Sequence, residues 1–215
     1  MPSLMRNGQM KGLQNKASYG IVLLAAGMSS RLGRPKQLLA YQGDYLLNHA
    51  IKVTKQVNVA ATVVIIGAEA ELLLNEIKNV DVKVVLNQQF KEGISSSIRC
   101  GVQYIQDYDR NIENIIIMVC DQPYVDGAHI LKLIACHEAT GAKIVASIYS
   151  DRKGVPALFN KQLFPELLTL KGDTGAKELI KKYTIETATV FLPLGEIDID
   201  TEENYNMLIN ASSVQ

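Results

Sequence analysis

Short apolar runs recur along the chain, and the stretches between them place their apolar residues at helical spacing. IVLL at 21–24, ATVVII at 61–66, VKVVL at 82–86 and IIIMV at 115–119 are close to unbroken, as in strands covered on both faces. Between them, residues 45–57 carry Leu46, Leu47, Ala50, Ile51, Val53 and Val57 along one helical face. Similar patterns predict helices over 69–78, 95–105 and 127–140, and a strand over 143–148. The segment 154–159 is strand-like, but Pro156 within it predicts an edge or bulge position. A helix at about 162–170, a turn at 172–175 leading into a helix to about 183, a strand at about 189–194 and a last helix from 201 complete the pattern. Such alternation predicts an α/β fold with a mostly parallel sheet and right-handed crossovers. Ligands in these sheets collect beyond the carboxyl ends of the strands, so the loops 25–36, 87–97 and 121–123 are expected on one rim.

Composition narrows this little. At 215 residues, 47% hydrophobic and 20% charged, the chain suits one soluble domain, read as 19–212, behind a polar segment, 1–18, read as a flexible tail. Its 22 cationic and 22 anionic residues cancel, which argues against nucleic acid and against an anionic membrane as partners. The segment 1–18 lacks the apolar core of a secretory signal, and no apolar run is long enough to span a bilayer. Cys100, Cys120 and Cys136 are odd in number and have no C-x-x-C spacing, so a disulfide framework or zinc site is not expected and a reducing cytoplasm is.

The stretch 21–39, IVLLAAGMSSRLGRPKQLL, changes the picture. A strand that empties into small residues and then presents Arg31 and Lys36 suggests a backbone cradle for a polyphosphate. It is not a Walker loop, because Lys36 does not directly follow Gly33, and the chain has no G-x-G-x-x-G dinucleotide fingerprint. Asp121 leaves the 115–119 strand just before Gln122 and Pro123, where a carboxylate either holds a divalent cation or closes an Asx turn. Asp198 and Asp200 alternate, so in an extended chain only one of them faces such a site; Asp200, next to Thr201, is placed to cap the final helix. GISSS at 93–97 and the glycine turn at 172–175 suit either ligand binding or helix capping. His49, His129 and His137 fall far apart on predicted helices, without metal-ligand spacing.

LAAGMSSRLGRPKQLL resembles the signature of the molybdenum cofactor nucleotidyltransferases, LAAGxSxRMGxxKxLL, with Leu32 replacing the usual methionine. The likeness continues in order through Asn87 and GISSSIRCG at 93–101, DQP at 121–123, GVPALF at 154–159, LKGDTGAK at 170–177 and DIDTEEN at 198–204, where Glu202 and Asn204 depart from the pattern. The resemblance implies a three-layer α/β/α sandwich of the nucleotide-diphospho-sugar transferase type. It also implies a reaction in which the terminal phosphate of a pterin cofactor attacks the α-phosphorus of a nucleoside triphosphate and pyrophosphate leaves. Members with LAAG resemble the cytidylyl branch, whereas the guanylyl branch usually has a second glycine where Ala26 stands; the implied substrates are therefore CTP and molybdopterin.

On this resemblance Leu24, Ala25, Ala26 and Gly27 contact the nucleotide, and Arg31 and Lys36 neutralise its phosphates. Asn87, Gly93 and Ser97 shape the nucleotide side, and Asp121 holds Mg²⁺ with Asp198 as the expected second ligand. Gly154, Pro156, Gly172 and Asp173 face the acceptor. A molybdoenzyme or its maturation chaperone is an implied partner. Three alternatives remain: GTP or a sugar phosphate as substrate, a cofactor-binding chaperone without turnover, and a nicotinamide-dependent oxidoreductase, which the missing dinucleotide fingerprint disfavours.

Overall fold

A computed structural model of the protein describes residues 19–77 and 82–212; the tail expected over 1–18 lies outside the described residues. The strand β1 (Tyr19–Ala25) shows why the core has two sides. Val22 and Leu24 face one apolar cluster, while Ile21, Leu23 and Ala25 face the other, because successive side chains in a strand point to opposite faces.

The chain continues through a short hairpin of β2 (Ala40–Tyr41) and β3 (Asp44–Tyr45), then α1 (Leu46–Lys55), β4 (Ala61–Ile66), α2 (Ala70–Ile77) and β5 (Lys83–Leu86). Next come α3 (Ile94–Tyr108), β6 (Asn114–Val119), α4 (Gly127–Thr140), β7 (Ile144–Tyr149) and β8 (Arg152–Asn160). The remainder is α5 (Phe164–Leu167), α6 (Lys177–Lys182), β9 (Thr187–Phe191) and α7 (Glu202–Ser212). Seven strands form one sheet in the order β5-β4-β1-β6-β8-β7-β9. Every neighbouring pair is parallel except the two made by β8, which runs against both β6 and β7.

One face of the sheet packs Ile98, Val102 and Ile105 of α3, Phe164 and Leu167 of α5, and Leu179 and Ile180 of α6. Leu47 and Ile51 of α1, Leu73 of α2, and Ile130 and Leu133 of α4 cover the opposite face. This is the expected three-layer sandwich. Helix α3 lies unusually close to β1: a Cβ on Gly101 would stand 2.3 Å from Cγ1 of Val22. The helix α7 packs with Leu32, Leu39, Tyr41 and Leu46 in a third cluster through Leu208, so the last helix sits over the loop that follows β1.

One expectation is narrowed and two change. Pro156 is at a bulge and not at an edge: β8 lies inside the sheet, and its register against β7 jumps from Ala146↔Ala157 to Ser147↔Gly154, leaving Val155 and Pro156 outside the ladder. The helix expected over 162–170 is reduced to the single turn of α5, which tolerates Pro165 because its first N–H groups need no helical acceptor. The last strand ends at Phe191 and not near 194, since Pro193 has no N–H for a ladder.

His129 of α4 has a structural role. Only 4% exposed, its Nε2 lies 2.7 Å from Oγ of Ser147, whose hydroxyl donates onward to the carbonyl of Pro156 at 2.6 Å. The ring therefore donates from Nε2. Burial lowers its pKa to about 4, with attraction from Asp126 opposing and repulsion from Lys132 adding. The unfolded chain takes up this proton near pH 6.5 and the folded chain only near pH 4, so stability is lost as pH falls between those values. Urea unfolding at pH 7 and pH 4.5 should show a loss of about 2–3 kcal/mol that His129→Gln removes. An identical pH dependence in the variant would refute this role.

Candidate active site

Four strand ends meet on the rim that carries the site. The chain leaves β1 into 26–35, β4 at Gly67, β5 at Asn87 and β6 at Cys120–Asp121, all on one rim, as parallel strands require. Backbone bonds lace this rim: Cys120 N donates to the carbonyl of Leu24 at 3.2 Å, Ala68 N to Ala26 at 3.3 Å and Asn87 N to Ile66 at 2.8 Å. At the ends of β1 and β6 on this rim lies a cavity of about 290 Å³ whose lining includes Leu24, Ala25, Ala26, Gly27, Lys36, Gly93, Ser97, Asp121 and Asp173.

A chain of charge crosses the mouth of this cavity. Lys36 Nζ donates to Oδ2 of Asp121 and, at 2.8 Å, to Oδ1 of Asp200; Arg31 donates to Oδ2 of Asp200 at 2.7 Å. Burial disfavours the Lys36 charge, but attraction to Asp121 and hydrogen bonds to both carboxylates outweigh it and raise its pKa above the ordinary lysine value. Asp200 is likewise disfavoured by burial, yet Lys36 and Arg31 hold its pKa below the usual carboxylate range.

Asp200 therefore does not cap α7. That work falls to Thr201, whose hydroxyl accepts from Asn204 N at 3.2 Å, because the Asp200 side chain is turned toward the two cations.

Asp198 reaches the same mouth because Ile199 N donates to the Asp121 carbonyl at 3.0 Å and Gln122 Nε2 donates to the Gly195 carbonyl at 2.9 Å, laying the 195–200 segment against the end of β6. Loss of hydration, then the charges of Asp121 and Asp200, push Asp198 up to about 6, with Lys177 and Lys36 opposing. Among the described residues no group of three or more His, Cys, Asp or Glu side chains could enclose a metal. The residues do fit a cation shared with a ligand: Oδ1 of Asp121 is buried without a partner, and Asp198 is a carboxylate held beside like charges, an arrangement a divalent cation relieves.

Other sequence candidates divide. Asn87 does not line the cavity; it is buried and donates to the hydroxyls of Ser96 at 2.8 Å and Ser97 at 3.0 Å, so it positions the start of α3. Gly172 supports the rim through its carbonyl, which accepts from Ser95 N at 3.1 Å. Gly154 and Pro156 lie away from the cavity, both buried in β8: Gly154 packs against the ring of Tyr149, and Pro156 occupies the bulge.

Gly93 has φ +97°, ψ 176°, a conformation nearly confined to glycine, and a Cβ there would stand 2.3 Å from Oδ1 of Asp173 and 2.6 Å from the Gly172 carbonyl. Gly93→Ala should therefore force the 172–173 turn away from α3 and cost about 2–4 kcal/mol in urea unfolding; a loss below about 0.5 kcal/mol would contradict the packing.

A family model described as the MobA-like NTP transferase domain matches residues 21–188. The chain belongs to this family. Membership makes it a nucleotidyltransferase, and the relatives of this MobA-like domain carry diverse names. It is 29% identical to nicotine blue oxidoreductase of Paenarthrobacter nicotinovorans over 75% of its own length and 80% of the relative's. It is 28% identical to the purine catabolism protein PucB of Bacillus subtilis, covering 89% and 96% of the two chains. Against a probable molybdenum cofactor guanylyltransferase of Bacillus cereus the identity is 30%, over 51% of this chain and 52% of that protein. The crystal structure of Rv0371c from Mycobacterium tuberculosis superposes with a TM-score of 0.79 at 28% identity, covering 90% of this chain and 98% of that one; a complex of Rv0371C with manganese superposes at 0.75 and 25% identity, covering 90% and 98%.

The MobA-like site also contains residues that motif spacing does not single out. Met28, Phe90, Lys91 and Ile94 line the cavity, as does Gln37, which is 1% exposed. Gln37 follows the charged Lys36 in a mixed stretch of exposed and half-buried residues, and no local pattern of apolar positions marks it. No helix among the described residues is long and apolar enough to cross a membrane.

Proposed function

We propose that this chain transfers CMP from CTP to the terminal phosphate of molybdopterin with Mg²⁺, releasing pyrophosphate and giving molybdopterin cytosine dinucleotide. The observation that carries the reading is the chain of Arg31, Asp200, Lys36 and Asp121 across the mouth of the cavity that the LAAG loop lines. Ala26 in place of a second glycine favours cytosine over guanine. The seven-stranded sheet, to which both halves of 19–212 contribute, supports treating that span as one nucleotidyltransferase domain.

The acceptor phosphate has a second pKa of ~6 and is already largely a dianion at neutral pH, so no side chain must deprotonate it. The residues then have two tasks: aligning the phosphates and neutralising their charge. Arg31 and Lys36 exchange Asp200 for phosphate oxygens. Asp121, through Oδ1, and Asp198 are the residues that would hold a divalent cation, which when bound neutralises charge on the triphosphate. The Gly172–Asp173 turn, which brings Asp173 into the cavity lining, is assigned to the acceptor side.

The test is pyrophosphate release by the purified chain with molybdopterin, Mg²⁺ or Mn²⁺, and each nucleoside triphosphate in turn, alongside a reaction supplied with NADH. Release with CTP is expected. Release with GTP alone would overturn the base assignment, molybdopterin binding without any release would point to a carrier, and NADH oxidation without release would point to the chemistry in the name of the Paenarthrobacter relative.

A further inference from the structure

The loop after β1 has a polarity, and one side chain sets much of it. Carbonyl oxygens from the end of β1 into this loop are occupied by protein donors: Leu24 by Cys120 N at 3.2 Å, Ala26 by Ala68 N at 3.3 Å, Ser29 by Leu32 N at 3.0 Å, and both Ala25 and Gly27 by Nε2 of Gln37, each at 2.9 Å. The Gln37 amide thus spends both hydrogens on this loop. Its Oε1 accepts from the Ser29 hydroxyl at 3.4 Å, and Oγ of Ser29 in turn accepts from Lys36 N at 3.0 Å. By contrast, the N–H groups of Gly27 and Met28, two residues that line the cavity, have no acceptor among the described residues. On the Gly27 side the space is open, since a Cβ there would meet nothing within 4 Å.

A stretch such as 24–27, with all four carbonyls taken, followed by free amides at Gly27 and Met28, is a donor surface suited to anionic oxygens. Without the Gln37 amide, two carbonyl oxygens at the cavity wall would lose their donors, and a peptide rotation that re-satisfied them would turn neighbouring amides away.

We propose that Gln37 is the positioning residue that fixes the polarity of this loop, holding the Ala25 and Gly27 carbonyls away from the ligand so that the Gly27 and Met28 amides receive the triphosphate oxygens. The inference rests on the reading of the cavity as a nucleoside triphosphate site. Gln37 touches the loop and not the reacting atoms, so its removal should weaken triphosphate binding more than it slows the bound complex. Gln37→Met keeps the shape without donors, and Gln37→Glu places acceptors against acceptors.

The experiment is calorimetric titration of the full chain and both variants with CTP and with tripolyphosphate, which has no base, together with kcat, KM and thermal midpoints. A 10- to 100-fold loss of affinity for both ligands is expected, larger in Gln37→Glu, with KM rising by a similar factor and kcat within about threefold of the parent. Lower thermal midpoints with unchanged affinities and KM would show a merely structural glutamine and overturn the proposal. If neither variant folds, amide NMR of the unaltered chain decides it: tripolyphosphate should shift the Gly27 and Met28 N–H resonances downfield while the Gln37 side-chain amide stays protected from exchange, and unshifted backbone amides would refute the proposal. Absence of any binding by the unaltered chain would instead remove the nucleotide reading itself, and this inference with it.

Discussion

Lys36→Ala is expected to lower pyrophosphate release at least ~100-fold, the range found when one preorganised charge-stabilising donor is removed from a site where charge develops. Two effects add. The phosphates lose a cation held at the cavity mouth by Asp121 and Asp200, and the vacated space leaves those carboxylates, with Asp198 nearby, facing an incoming polyanion without the charge that offset them. Lys36→Arg separates the two: it restores charge but cannot sit between two carboxylates as a compact ammonium does, so partial recovery is expected. Steady-state kinetics with pyrophosphate detection check this. Activity within threefold of the parent in Lys36→Ala would remove Lys36 from the catalytic assignment.

A comparable loss, again at least ~100-fold, is expected from Asp121→Asn, for a different reason. Asparagine nearly preserves the shape, and the backbone bond from Ile199 N to the carbonyl of residue 121 survives, so the 195–200 segment should stay in place. What disappears is the charge on the buried Oδ1, which has no partner in the protein, and the ionic partner of Lys36. The variant should therefore need far more divalent cation for half-maximal rate, whereas Lys36→Ala should not. If Asp121→Asn kept the parent's rate and metal dependence, the carboxylate would be structural and the cation site would have to be sought elsewhere.

Much of the layout was legible from the chain. The buried runs at 61–66 and 115–119 are strands, 127–140 is a helix, and the loops at 25–36, 87–97 and 121–123 share one rim, because unbroken apolar runs and parallel crossovers leave few other arrangements. The placement of Asp200 was not legible. Local spacing favoured a helix cap, but its partner Arg31 lies 169 positions away, and no local pattern reports such a pairing. Gln37 escaped for a similar reason: its two bonds run to main-chain carbonyls, which leave no trace in side-chain identity. Gly154 and Pro156 illustrate the opposite limit, in which residues of a recognisable motif are buried where β8 runs antiparallel and bulges within the sheet.

The bridge from Arg31 and Lys36 to Asp200 also carries a consequence in time. During synthesis the LAAG loop and its cations emerge long before their anionic clasp, Asp200, and the helix α7 that packs over the loop. A nascent chain that has already formed β1 to β6 holds Arg31 and Lys36 with Asp121 but without Asp200, so the two cations wait for their second carboxylate. The chain of charge from Arg31 to Asp121 is therefore closed only when the 195–200 segment docks against the end of β6.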